Sequence, residues 1–251
     1  MLKNRVIPCL LIKDRRLVKT QKFKKPAYVG DPVNVVRIFN EKEVDEIILL
    51  DINASKNNCA PDFEYIEEVA GECFMPLCYG GGISTVQQAE KLFTIGVEKI
   101  CIQTALLNDF SLINEIVKRF GVQSIVVSVD VKSSFFGGYK FFSSSRKRIK
   151  IDYQVFIQKA IDAGTGEIIL NVVDNDGCMS GMQFELINEV SSKINVPLIA
   201  MGGVGSLEDI RLAVNSGASA VAAGAFFVYQ GPHRAVLISY PKYEDIERLL
   251  S

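Results

Sequence analysis

The run Pro76-Leu-Cys-Tyr-Gly-Gly-Gly-Ile-Ser-Thr85 has a counterpart in Pro197-Leu-Ile-Ala-Met-Gly-Gly-Val-Gly-Ser206, 121 positions further on. At the same offset Gly96 meets Gly217, and Glu46-Ile-Ile-Leu49 meets Glu167-Ile-Ile-Leu170. Coincidences at one constant spacing mark a chain built from two similar halves. Each copy of the run also has one local pattern. A short apolar stretch leads into glycines, and Ser or Thr then precedes an amphipathic stretch, as in a strand, a tight turn and an N-capped helix.

Outward from these runs the pattern continues. Apolar strand candidates fall at 6–11, 46–51, 75–79, 99–102, 124–130, 167–172, 197–200 and 220–223. Helical spacing appears at 33–43, 85–95, 107–120, 153–163, 184–194 and 207–216. Gly30-Asp31-Pro32 reads as an N-cap followed by proline in the first helical turn. Strands apolar on both faces, alternating with helices, imply a parallel sheet. A doubly wound sheet has no reason to repeat by halves, whereas two half-barrels closing on each other do. The expectation is therefore a single (β/α)8 TIM barrel over 1–251, with half-barrels of about 1–122 and 123–251.

Composition narrows the function. The 251 residues are 48% hydrophobic, with 28 basic against 29 acidic side chains. The resulting net charge of -1 argues against a nucleic-acid partner, which needs a basic surface. No apolar run reaches the roughly 18 residues of a membrane span, and no signal-peptide core is visible at the start. The six cysteines form no C-x-x-C pair, and several lie in apolar strands as buried thiols, so the expected compartment is the cytoplasm. One histidine, His233, excludes His-dependent triads and multi-histidine metal sites. No metal and no cofactor are implied.

Ligands of such barrels sit at the C-terminal ends of the strands. Gly81 and Gly82 end the third strand, and Gly202 and Gly203 end the seventh. Gln103 and Thr104 after the fourth strand, and Gly224 and Ala225 after the eighth, supply the second wall of each pocket. A single Gly-Gly would mean only a tight βα turn. Two symmetry-related copies, each ahead of a helix N-terminus, favour a small molecule with a phosphate at each end.

With these residues in order and in register, the chain resembles the cyclase subunit of imidazole glycerol phosphate synthase. Further marks are Arg5-x-Ile7-x-Cys9-Leu10, Lys13-Asp14, Val18-Lys19, Leu50-Asp51-Ile52, Asp130, Gly166-Glu167-Ile168 and Asp174-x-Asp176-Gly177. The resemblance runs from Met1 to about Phe227. It implies a barrel that closes an imidazole ring on a ribulosyl substrate bearing two phosphates, with ammonia supplied by a glutaminase partner at the N-terminal face. It places Asp176 and Gly177 with the phosphate-binding residues and Lys19 in the loop over the substrate.

Arg5, Glu46, Lys99 and Glu167 stand at strand starts, where side-chain alternation can aim all four into the lower barrel mouth. Two acids and two bases there could simply plug the barrel with salt bridges. In the resembled family the matching positions form a gate for ammonia, the reading favoured here. Asp45 and Glu98 lie near the same rim and are expected to face the glutaminase.

The top face departs from the family. Its acid/base chemistry needs aspartates at the ends of the first and fifth strands. Asp130 supplies one, but the matching position on the first strand is Leu11. Asp14 is no replacement, since the family has an aspartate there too. Gln103 stands for an asparagine and Ala225 for a serine, while the sixth strand ends in Asn171. Leucine cannot transfer a proton. The implied activity is thus ammonia conduction with cyclase chemistry impaired or lost. Some family relatives of this character resemble partners in surface-polysaccharide (lipopolysaccharide) assembly, which implies that ammonia passes to a sugar amidotransferase that amidinates a nucleotide sugar. A genuine cyclase-lyase of histidine biosynthesis and a non-catalytic scaffold that activates a glutaminase remain open. A single-chain isomerase of the same barrel type is a weaker rival, having no use for the gate.

Two segments stay ambiguous. Lys19, Lys22, Lys24 and Lys25 could fold over a phosphate, or, Lys19 excepted, form a solvated mobile lid. Phe135–Phe142 reads as a hairpin around Gly137-Gly138, followed by the basic run 143–150, and could dock an ammonia-receiving enzyme.

Overall fold

The computed structural model describes residues 4–146 and 148–250. Residues 1–3, 147 and 251, which belong to the expected 1–251 extent and to the basic run, lie outside the described residues.

The chain begins with β1 (Arg5–Lys13) and an antiparallel hairpin, β2 (Arg16–Gln21) and β3 (Lys24–Gly30). Helix α1 (Pro32–Glu41) starts as the sequence indicates: Asp31 accepts from the Asn34 N–H at 3.0 Å and proline occupies the first turn. There follow β4 (Ile47–Asp51), α2 (Phe63–Gly71), β5 (Leu77–Gly80), α3 (Val86–Thr94), β6 (Lys99–Ile102) and α4 (Ser111–Phe120). The second half contains β7 (Ile125–Ser133), β8 (Tyr139–Phe142), α5 (Tyr153–Asp162), β9 (Glu167–Val172) and α6 (Phe184–Ser191). It continues with β10 (Leu198–Met201), α7 (Leu207–Asn215), β11 (Ala220–Ala223) and α8 (Ala225–Val228). A two-residue hairpin, β12 (Tyr229–Gln230) with β13 (Ala235–Val236), and α9 (Tyr243–Leu250) end the described chain.

Eight parallel strands, in the order β1-β4-β5-β6-β7-β9-β10-β11, close when β11 pairs with β1 in the register Arg5↔Ala220 to Pro8↔Ala223. The fold is a (β/α)8 barrel. Strand alternation divides its core in two. Val6, Leu10 and Ile12 of β1 pack outward under the helices, whereas Ile7, Cys9 and Leu11 belong to a separate inner cluster with Ile48, Cys78, Cys101, Val126, Ile169 and Ile199. The barrel is therefore filled by layers of medium-sized apolar side chains. All six cysteines are free, and burial raises the thiols of Cys9, Cys78 and Cys101 far enough to keep them neutral.

The half-chain repeat is visible in backbone detail. Gly81 and Gly202 have φ of 128° and 98°, and Gly96 and Gly217 have 101° and 102°. Thr85 and Ser206 each cap a helix through a reciprocal capping box.

Several elements differ from the sequence expectation, among them the β2–β3 hairpin, where the sequence suggests a loop. Helix α2 was not anticipated, although Ile66, Val69 and Ala70 carry helical spacing and Asp62 caps its start. The helix expected over 107–120 begins only at Ser111, after a separate 3-10 turn at Thr104–Leu107. The 135–142 hairpin is really an extension of the barrel: β8 pairs with the end of β7, Asp130↔Phe142 to Ser133↔Tyr139. Phe135 and Phe136 lie in its turn, 95% and 90% exposed.

Candidate functional site

At the lower end of the barrel, Arg5, Lys99 and Glu167 are the first residues of β1, β6 and β9, and Glu46 immediately precedes β4. Their side chains form a closed ring of alternating charge. Arg5 pairs with Glu46 and, at 2.8 Å, with Glu167, and the Lys99 ammonium lies 2.9 Å from each carboxylate. Glu46 is 2% exposed and Glu167 9%, so either acid would be costly to hold alone. Burial pushes Glu167 up, but the two cations outweigh it and hold the carboxyl below its ordinary range. Burial likewise pulls Arg5 and Lys99 down, and their acidic neighbours reverse that. One oxygen, Glu46 Oε1, has no partner.

Around this ring Asp45 is half-buried and accepts from the Val6 N–H at 3.3 Å, whereas Glu98 is exposed. Sequence reasoning missed two neighbours in the short loops ahead of strands at the same end. Phe74 precedes β5 and is 85% exposed, and Val122 precedes β7 and is 51% exposed. The available signal was an apolar residue outside any periodic run.

At the upper end, Asp130 on β7 is buried between two carboxamides. Gln103 Nε2 donates to it at 2.8 Å and Asn171 Nδ2 at 3.1 Å. Desolvation raises its pKa to about 6 despite these donors. A cavity of about 140 Å³ lies over it, walled by Leu11, Leu50, Ile169 and Met201 as well as by Gly81, Gly82 and Thr104. Leu11 pairs in register with Leu50 and Val18, so the wall at this position is continuous and apolar. Asp176 also lines this cavity, and burial raises it to about 6 while Lys19 and Thr20 oppose the shift. A second perturbed carboxyl at the mouth was not foreseen from sequence, because its position after β9 suggested only a phosphate loop.

The two glycine cradles are unequal. Gly81 and Gly82 open onto the 140 Å³ cavity, whereas Gly177, Gly202, Gly203, Gly224 and Ala225 enclose about 20 Å³, room for roughly one water. Lys19 borders the smaller cradle. Its ammonium lies against Gly224 and donates to the Cys9 carbonyl, and burial lowers its pKa. Lys19 is thus a buried residue, while Lys22, Lys24 and Lys25 are exposed. The β2–β3 hairpin is seated over the barrel by Lys22 N–H to Asp176 carbonyl (2.9 Å), by Thr20 against Gly177, and by Phe23 against Phe142. Gly177, at φ 68°, leaves no room there for a Cβ.

The helices behind the cradles are N-capped, as their Thr85 and Ser206 indicate. Thr85 and Gln88 cap α3, and Asp209 accepts from the N–H groups of Gly205 and Ser206 at α7. Each capping box engages the N–H groups of the N-cap and the third helical residue. Gln103, expected in the phosphate wall, turns inward to Asp130. Among the described residues no helix is long and apolar enough to cross a membrane.

Residues 5–233 match the model of the family described as histidine biosynthesis protein. A Pseudomonas aeruginosa protein, provisionally named imidazole glycerol phosphate synthase subunit hisF2, is 55% identical over 251 residues, 99% of either chain. A Vibrio vulnificus protein with the provisional name subunit hisF3 is 44% identical over 253 residues, 100% of this chain and 97% of its own. Imidazole glycerol phosphate synthase subunit HisF of Exiguobacterium sibiricum is 36% identical over 227 residues, 90% of this chain and 91% of its own.

Proposed function

This chain belongs to the histidine biosynthesis protein family, as a divergent paralogue of the cyclase subunit of imidazole glycerol phosphate synthase, and from that premise we propose that it conducts ammonia without closing the imidazole ring. A glutaminase docks on the lower face, where Glu98, Asp45 and the exposed Phe74 and Val122 surround the charged ring. Ammonia enters between Arg5, Glu46, Lys99 and Glu167. Neutral ammonia has only to part the ion pairs for a moment, while ammonium would carry its charge into an apolar core. The inner cluster of Ile7, Cys9, Cys78, Cys101 and Ile169 leads from there toward the cavity over Asp130.

The contrast between the two ends carries this reading: a complete charge ring below, and leucine where the second acid/base carboxylate belongs above. Leu11 cannot shuttle a proton, and the second glycine cradle encloses only about 20 Å³. Delivered ammonia then goes to a separate acceptor, a nucleotide sugar amidinated during surface-polysaccharide assembly. The exposed Phe135-Phe136 turn on the upper face supports docking of the amidotransferase that uses it.

One observation favours a second reading, a retained cyclase-lyase. Asp176 faces the same cavity as Asp130 with a pKa raised to about 6, so two titratable carboxyls are present. A glutaminase-coupled assay with and without the family's ribulotide substrate separates the two. The proposed function expects glutamine hydrolysis with no imidazole glycerol phosphate, and robust ribulotide turnover would sink it. Substituting Lys99 or Glu167 tests the scaffold alternative: a mere activator shows no change in the fraction of ammonia that reaches an acceptor.

A further inference from the structure

A second cavity of about 390 Å³ lies beside the barrel mouth and exceeds the one over Asp130. Its size falls within the range of small-molecule sites. Arg146, Arg148 and Lys150 from the segment between β8 and α5, with Lys159 from α5, supply its charge. Leu106 and Phe110 give it an apolar wall, and Phe110 rests on the buried ring of Phe156 at 5.2 Å.

The charge is uncompensated. Among the described residues no acid lines the cavity and no ion pair holds any of the four cations, all of which are exposed. The nearest acids in sequence are engaged elsewhere. Asp109 accepts from the backbone N–H and hydroxyl of Ser111, and Asp152 caps α5 through Gln154 and Val155. Like charges gathered around an open volume repel one another, and an anion with several acceptor oxygens relieves that repulsion. Arginine is the side chain suited to phosphate oxygens, two at a time.

We propose that this cavity binds a nucleoside diphosphate group, with the diphosphate on the Arg146/Arg148/Lys150/Lys159 cluster and the base or ribose on the Leu106–Phe110 wall. A diphosphate alone would need no apolar wall, and a base alone would need no cations. The site shares a partition with the ammonia outlet: Thr104, which lines the outlet cavity, meets Ser145 at 2.8 Å, and Ser145 adjoins Arg146. On the reading given under Proposed function, the cavity anchors the anionic end of the ammonia acceptor beside the outlet. Binding itself does not depend on that reading.

The test is calorimetric titration of the whole chain, without glutaminase, using ADP, UDP, GDP, inorganic pyrophosphate and uridine. A nucleoside diphosphate is expected to bind, pyrophosphate at least tenfold more weakly, and uridine not measurably. Arg146→Ala with Arg148→Ala, and separately Lys159→Ala, should each weaken binding about tenfold or more. Lys22→Ala with Lys24→Ala, exposed cations elsewhere on the same face, should leave it unchanged. The proposal is overturned by absence of binding, by pyrophosphate binding as tightly, or by equal losses in the Lys22/Lys24 control. Binding that ignores the cavity variants and yields instead to Thr104→Val overturns it too, because the ligand then sits at the glycine cradle. If the same arginines prove necessary only for docking an acidic protein partner, with no nucleotide bound, it also fails. Ammonia transfer is measured separately with the glutaminase, so either result can fail alone.

Discussion

Asp130 is held at a cost that a single substitution should reveal. Burial raises its carboxyl from an ordinary 3.8 to about 6, and the donors Gln103 and Asn171 only partly offset this. A tenfold change in proton affinity corresponds to about 1.4 kcal/mol, so ionising Asp130 in the folded chain costs about 3 kcal/mol relative to the unfolded one. The folded pKa lies above the unfolded value. The group's contribution to stability is therefore fully present below pH about 4 and is lost as pH rises through about 6. Asp130→Asn removes the titration. Its carbonyl still accepts from Gln103, and its new amide can donate to Asn171 Oδ1 once the Asn171 carboxamide, whose Nδ2 now faces that position, turns over. Urea unfolding at pH 5, 6, 7 and 8 should show the variant's advantage growing toward roughly 1–3 kcal/mol at pH 8. In thermal melts that corresponds to a Tm increase of roughly 3–10 °C for a chain of this length. Asp176 titrates in both proteins, and its direct contribution cancels in the comparison. A gap that stays flat with pH, or a variant less stable at pH 8, would refute the reasoning by showing that Asp130 is solvated in the free chain. A gain in stability together with lost ammonia transfer would mark Asp130 as a group retained for function.

Three further outcomes follow from the geometry. Lys99→Met leaves Glu46 and Glu167 sharing Arg5 alone, so chemical unfolding should show a loss of about 3–5 kcal/mol, and coupled assays a changed transfer efficiency. Gly202→Ala should destabilise by about 2–4 kcal/mol, since its Cβ would lie 2.6 Å from the Val172 carbonyl oxygen and 2.8 Å from Asn171 Oδ1. Gly137→Ala, with a similar positive φ and open space around it, should cost only about 1 kcal/mol in the same melts. Replacing Phe135 and Phe136 together by serine should leave the melting curve unchanged while reducing transfer to the acceptor enzyme. Deleting 135–142 is a poorer test, because it also removes β8, whose pairing reaches Asp130.

How far the sequence was legible depended on the range of the interactions. The barrel followed from local periodicity and from the repeat at 121 positions, both written in consecutive residues. The members of the charge ring could be named because strand alternation sends residues at strand starts inward, whatever lies between them. Leu11 stood out only against the resembled family, whose pattern implies a carboxylate at that position. The hairpin strand β8 was legible, but its partner is the overlong barrel strand β7, so Phe135 and Phe136 read as strand when they form the turn.

Pairing, closeness and solvation were decided only by the tertiary structure. Lys19 reads as the substrate-loop lysine, and only the docking of β2–β3 against Asp176 and Gly177 buries its ammonium on the Cys9 carbonyl beside Gly224. Asp176 reads as a phosphate-loop residue, and only burial gives it a titration near that of Asp130. Arg146, Arg148, Lys150 and Lys159 read as a basic run and a helix lysine until the chain folds them around one volume. Periodicity is a property of neighbours along the chain, so the sequence by itself determined the barrel and the identities of its charges. Desolvation and Coulomb energy depend on distances between residues far apart in sequence, so which charges meet, and which stay unsatisfied, was determined by the fold.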